Sequence, residues 1–185
     1  FFYKYNIQED SWLLPKRGLF SREFEGNVLL NTYYGADILK GEGSTYYITR
    51  GNLADDFVSW NDETGELTRL PNLPMGSYLG SSMAYDSTSK KIYYTGGQYD
   101  RGFFVFDIEN ETWSEESLDP IPVAVNSGSS MVYDGSRYIY LARASSTNTF
   151  YRFDTQGVAG SKWTTMANVL GSLGYGAELL LKGDD

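Results

Sequence analysis

Short stretches along the chain alternate large apolar residues with polar ones, and Gly, Asn, Asp or Ser punctuates them. A period of two over four to six residues predicts β-strands, and the punctuation predicts tight turns. Four of these stretches align: FYKYN at 2–6, FVSWN at 57–61, FFVFD at 103–107 and FYRFD at 150–154. Their second and fourth positions are Tyr3 and Tyr5, Val58 and Trp60, Phe104 and Phe106, and Tyr151 and Phe153. That spacing places each pair on one face of a strand. Every copy ends in a short polar residue (Asn6, Asn61, Asp107 or Asp154), which can accept bonds from backbone amides two residues on and start a turn. Trp12 and Trp113 follow at the same offset, and Trp163 comes three residues later, after the small-residue insertion GVAGS. In the second copy Leu67 takes the tryptophan position. Recurrence at one structural position predicts core packing for these indoles.

A second element precedes the first. It reads GSSMAYD at 80–86 and GSSMVYD at 128–134, with weaker copies GADILKG at 35–41 and GAELLLK at 176–182. Strand-like runs follow it at TYYIT 45–49, KIYYTGG 91–97 and RYIYLA 137–142. Each full unit therefore holds four short antiparallel strands in about 46–50 residues, the period of a propeller blade. Blades converge on an axis, so the innermost strand has little room; Ser81, Ser82, Ser129 and Ser130 behind a glycine suit it. Outer strands fan apart and need bulk, which Trp12, Trp113 and Trp163 supply. The expected fold is all-β: a β-propeller of four-stranded antiparallel blades, with about four blade equivalents in a larger or incompletely closed ring. The units span about 1–14 (partial), 35–70, 80–118, 128–168 and 174–185 (partial). A β-sandwich is the structural alternative, but it does not require a repeat.

The order GSSMAYD, KIYYTGGQYD, RGFFVFDIENETW resembles a Kelch repeat. Gly96 and Gly97 match that family's Gly-Gly pair and Trp113 its tryptophan, while the corresponding regions of the neighbouring units read TRGN and LARAS. The resemblance covers most of the chain and implies a propeller. WNDETGEL also resembles the Asp-x-x-Thr-Gly turn of quinoprotein propellers, with Asn61 in the Asp position. The chain opens on a third strand and closes on a first strand, so the phase predicts one blade shared by the two termini with its second strand missing. Unpaired strand edges would then favour a homo-oligomer or a partner chain.

Composition narrows the chemistry. Of 185 residues, 16 are Tyr and 20 are Gly, and there is no His and no Cys. Disulfides, thiol catalysis and a Ser-His-Asp triad are excluded, and the commonest zinc and copper ligand is missing, as is the histidine that a copper-radical oxidase needs. The net charge of −9 disfavours nucleic acid and anionic membrane surfaces. Apolar runs fall far short of the ~20 residues of a membrane helix, so membrane insertion is not expected. Phosphate-loop, dinucleotide and calcium-loop patterns are absent, and no cofactor or metal is expected. Asn110-Glu111-Thr112 is a glycosylation triplet.

Function on such a scaffold belongs to the loops. The first of them, 14–34, holds Lys16, Arg17, Arg22, Tyr33 and Tyr34. The candidate ligand-binding residues are Tyr34, Tyr78, Asp55, Asp56, Gln98, Tyr99, Asp100, Arg101, Arg143 and Asn148. Aromatic, amide and charged groups of this kind suit a sugar or a peptide. The adjacent carboxylates Asp55/Asp56, Glu115/Glu116 and Asp184/Asp185 point to opposite faces of a strand, which is poor geometry for a glycosidase pair. The expected function is a non-catalytic binding or assembly module for protein or carbohydrate. The alternatives are a carboxylate-dependent carbohydrate-active enzyme and a structural protein of an extracellular or cell-surface assembly.

Overall fold

The computed structural model describes residues 4–13, 32–115 and 119–182. Tyr3, Lys16, Arg17, Arg22, Glu116, Asp184 and Asp185, named above, lie outside the described residues. Among the described residues there is no helix. A hairpin comes first, β1 (Lys4–Asn6) with β2 (Ser11–Leu13). Three four-stranded antiparallel sheets follow, each with its strands in chain order. The first is β3 (Asp37–Lys40), β4 (Thr45–Thr49), β5 (Phe57–Asn61) and β6 (Leu67–Arg69). The second is β7 (Ser82–Asp86), β8 (Lys91–Thr95), β9 (Phe104–Asp107) and β10 (Thr112–Glu115). The third is β11 (Ser130–Tyr133), β12 (Tyr138–Ala142), β13 (Phe150–Asp154) and β14 (Trp163–Thr165). This is a blade-like architecture of repeated four-stranded meanders.

The hairpin turns form as the sequence predicts. Asn6 Oδ1 accepts the N–H groups of Gln8 and Glu9 at 3.0 and 3.3 Å, and Asn61 Oδ1 those of Glu63 and Thr64 at 3.0 Å. Asp107 does the same for Glu109 and Asn110 at 3.0 Å, and Asp154 for Gln156 at 3.0 Å. A local bond of this kind closes a turn without help from the rest of the chain.

Packing explains why the strands are apolar on both sides. On the second sheet Met83, Ile92, Tyr94, Phe104 and Phe106 meet Tyr47, Phe57, Leu70 and Leu73 from the first sheet and the loop that follows it. The opposite face, with Ala84, Tyr93 and Val105, packs on Met131, Tyr133, Ile139, Leu141, Tyr151 and Phe153 of the third. Alternation therefore sorts side chains between two neighbouring sheets, not between core and water.

Two tryptophans stand in these seams. The Trp113 ring lies 5.3 Å from Phe57 and 5.0 Å from Phe106, and its Nε1–H donates to the Pro71 carbonyl at 3.1 Å. Trp163 repeats this one sheet on, 5.2 Å from Phe103 and 5.0 Å from Phe153, donating to the Asp119 carbonyl at 2.9 Å. Trp12 departs from the core packing expected of it. It is 68% exposed, with its ring 5.0 Å from Tyr5. Among the described residues, the indole belongs to neither of the core clusters that form between neighbouring sheets.

The segment 176–182, expected as a strand, carries no strand assignment. It nevertheless lies beside β11 in a repeated register. Met83 N–H donates to Asp37 Oδ2 at 2.8 Å, Met131 N–H to Ser82 Oγ at 3.0 Å, and Leu179 N–H to Ser130 Oγ at 3.1 Å. No described strand pairs with its other side, and a ladder needs that partner.

Candidate functional site: a pocket ringed by four equivalent turns

Each first strand, and the segment 176–182, is approached by the same turn. The N–H groups of Ala36, Ser81, Ser129 and Ala177 donate back to the carbonyls of Tyr33, Tyr78, Asn126 and Gly174 at 3.0, 2.8, 2.9 and 3.3 Å. The third residue of each turn is Gly35, Gly80, Gly128 or Gly176, at φ +81°, +83°, +80° and +74°. A type II turn demands that conformation, and glycine adopts it without strain. Three of these glycines have a second reason. A Cβ on Gly35 would sit 2.0 Å from the Tyr78 carbonyl oxygen, one on Gly80 2.1 Å from that of Asn126, and one on Gly128 1.9 Å from that of Gly174. The turns are packed backbone against backbone, each on the next.

Together they surround a pocket of about 600 Å³. Tyr34, Tyr78, Tyr175, Ser81, Ser127 and Ser129 are among the residues that line it. No Asp, Glu, Lys or Arg is among the lining residues. Such a wall can hydrogen-bond and stack. It offers no carboxylate or amine for proton transfer, and among the described residues no group of three or more Asp or Glu could hold a metal ion.

A second tier of turns braces the pocket. Between the second and third strands of each sheet, Gly51–Ala54, Gly97–Asp100 and Ala144–Thr147 close with backbone bonds of 3.1, 3.0 and 3.1 Å. Their central pairs Asn52-Leu53, Gln98-Tyr99 and Ser145-Ser146 all have positive φ, the signature of a type I′ turn. Each turn hangs from two points. Asn52, Gln98 and Ser145 donate to the carbonyls of Tyr34, Leu79 and Ser127, on the pocket rim. Leu53, Tyr99 and Ser146 donate to those of Ser77, Val125 and Leu173, ahead of the next unit's turn.

The structure brings Tyr34 and Tyr78 together in the pocket wall. The other candidates lie outside that wall. Tyr99 is 74% exposed at the tip of its turn. Gln98 Nε2 donates to the Gly76 carbonyl at 2.9 Å, and Asp100 Oδ1 accepts from Gly102 N–H at 2.5 Å. Arg101 Nε donates to the Ile121 carbonyl at 2.7 Å and Arg143 Nε to that of Ala124 at 3.0 Å. The Asn148 carbonyl accepts from Val169 N–H at 3.0 Å. Asp55 accepts from Asn72 Nδ2 at 2.8 Å, whereas Asp56 pairs with Arg50 at 3.0 Å, so the two adjacent carboxylates serve different partners. Sequence reasoning missed Tyr175, although Tyr175-Gly176-Ala177 repeats Tyr34-Gly35-Ala36. It assigned Ser81 and Ser129 only the role of fitting a crowded strand.

Behind the wall sits a polar layer. Tyr94 is fully buried, donates to the Met75 carbonyl at 3.0 Å, and has its pKa pushed up by burial. Asp37, half-buried, accepts from Met83 N–H. Burial raises its carboxyl to about 6; bonds from the Met83 and Ile38 N–H groups oppose the rise, and the charge of Glu178 adds to it. Glu178, which is exposed, follows Ala177 as Asp37 follows Ala36, so each carboxylate is the next residue after one that lines the pocket.

The two ends of the sheets differ in chemistry. Strand alternation puts the pocket turns, the 2–3 turns and the links between units at one end. Tyr33, Tyr34, Leu53, Tyr99, Leu170 and Tyr175 are exposed there. The hairpins at the far end expose Glu42, Glu63, Glu66, Glu109 and Glu111, with Ile7 and Val158 as the exposed apolar residues among them. Compared with known proteins, the sequence matches no family model and no curated protein.

Proposed function

We propose that this chain forms Kelch-like blades of a β-propeller and acts as a non-catalytic binding module whose ligand seats in the pocket ringed by the four turns. The observation that carries this reading is the convergence of four sequence-equivalent segments on one cavity lined by tyrosine, serine and small residues without a charge. Cavities of roughly 300–1,000 Å³ with a few convergent polar groups are the usual form of a ligand site. The exposed aromatic and aliphatic residues at the same end, set against acidic hairpins at the other, support it further, because clustered exposed apolar surface marks interaction sites.

The test is to screen the chain against glycan and protein ligands, then repeat with Tyr34→Ala and Tyr78→Ala. Binding that falls at least tenfold in both variants, with the ligand recovered unchanged, is the expected result. Binding untouched by either substitution, or conversion of the ligand, overturns it.

One observation favours the second reading, a carboxylate-dependent carbohydrate-active enzyme. Asp37, with its carboxyl raised to about 6, feels the charge of the exposed Glu178, and each follows a pocket-lining residue in the chain. A carboxyl raised to that range suits a general acid, and glycosidases use two carboxyl groups. Turnover of a glycoside that disappears in Asp37→Asn would establish this reading over the first.

A further inference from the structure

We propose that the pocket takes an uncharged carbohydrate, with Tyr34 and Tyr175 as stacking surfaces at its mouth. The inference rests on the reading of the pocket as the binding site and adds the class of ligand.

Charge comes first. No lining residue carries a charge, so nothing in the wall pairs with a phosphate, a carboxylate or an ammonium group. Asp37 and Glu178 each follow a lining residue in the chain, and the chain as a whole carries −9. That field repels anionic ligands, including uronates and sialylated glycans.

The wall chemistry selects among uncharged ligands. Tyr34 and Tyr175 are 71% and 86% exposed, so their faces stand open to a ligand at the mouth. A pyranose ring has an apolar face of C–H groups that stacks on an aromatic ring, while its hydroxyls seek polar partners at the edge. Ser129 Oγ is occupied, donating to the Asn126 carbonyl at 2.6 Å, and Ser81 Oγ is buried beside the Tyr94 hydroxyl, so stacking on the exposed tyrosines carries the recognition. The volume of about 600 Å³ admits a short oligosaccharide.

The experiment screens the full chain on an array of neutral, uronate-bearing and amino glycans, then measures the strongest hit by calorimetry. The variants are Tyr34→Ala, Tyr175→Ala and Tyr34→Phe. Both tyrosines are exposed, so their substitution leaves the fold intact, which circular dichroism checks. Expected are retention of neutral glycans only, a loss of at least tenfold in either Tyr→Ala variant, and affinity within about threefold in Tyr34→Phe, which keeps the stacking face. Retention of charged glycans alone, or of a protein ligand with no glycan, overturns the carbohydrate proposal; if Tyr34→Ala still abolishes that binding, the pocket stands as the site. A neutral glycan bound equally by all three variants overturns both.

Discussion

Asp37 occupies the position where the next two units carry Ser82 and Ser130, and all three accept a backbone N–H from the neighbouring unit. Serine accepts that bond at no electrostatic cost, whereas a carboxylate enclosed at the same place is held near pKa 6 instead of its usual 3.8. A raised pKa means that the folded state prefers the protonated form. The stability it contributes is complete below pH 3.8 and is lost as pH rises through about 6. Asp107, lowered by bonds from Asn110, and Asp154, lowered by Arg137, act in the opposite sense, losing stability only below the ordinary carboxylate range. The window from pH 4 to 7 therefore reports Asp37. Asp37→Ser should flatten the pH dependence there and raise stability at pH 8 by roughly 2 kcal/mol, read from urea midpoints. Ala144 offers a second residue-level test. It sits at φ +52° where the other two sheets have Gly51 and Gly97 at +82° and +77°. Ala144→Gly should stabilise by about 0.5–1 kcal/mol through relief of left-handed strain, less the added chain entropy of glycine. Gly97→Ala should cost on the order of 2–4 kcal/mol, because its Cβ would lie 2.3 Å from the Leu79 carbonyl oxygen. Denaturation curves of both variants check the pair.

At the scale of elements, the Asx-closed hairpins were legible in the sequence because turn and side chain are neighbours along the chain. The tryptophans were legible only in part. Trp113 and Trp163 occupy seams because a preceding sheet exists to receive them; Trp12 has the same local sequence and a hairpin of the same kind, but belongs to neither core cluster among the described residues. Trp113→Ala should cost about 2–4 kcal/mol, through lost burial and the unpaired Pro71 carbonyl. Trp12→Ala should cost under about 1 kcal/mol at its exposed site. Equal costs in chemical denaturation would contradict the packing described. The charged candidates of the loops show the same limit. Arg101 and Arg143 sit in exposed-looking sequence, yet each donates to a backbone carbonyl across its loop. Which carbonyl faces which guanidinium is a matter of how one unit follows another, and no local pattern encodes it. Tyr175 was missed for a simpler reason: it lies just ahead of the strand expected at 176–182, and the shared cavity appears only when four such turns are brought together.

Across the whole molecule, the sheets differ in how many neighbours cover them. The second sheet is buried on both faces, with Ile92, Tyr94 and Phe106 at or below 1% exposure. Hydrogen exchange should therefore be slowest in β8 and β9 and fastest in the β1–β2 hairpin and in 177–182, where no second strand pairs. Mass-spectrometric exchange with peptide resolution measures this order, and uniform protection would contradict it. By itself, the sequence determined the repeat, the strands, their antiparallel order and the turns, since these depend on residues within a few positions of one another. It also settled the chemistry that a chain without His or Cys cannot perform. Only the tertiary structure decided which faces are covered, which tryptophans are enclosed, why the Asp37 carboxyl is raised to about 6, and that four distant turns share one uncharged pocket. Those features depend on contacts between residues about 45 positions apart, whose geometry comes from sheet packing against sheet.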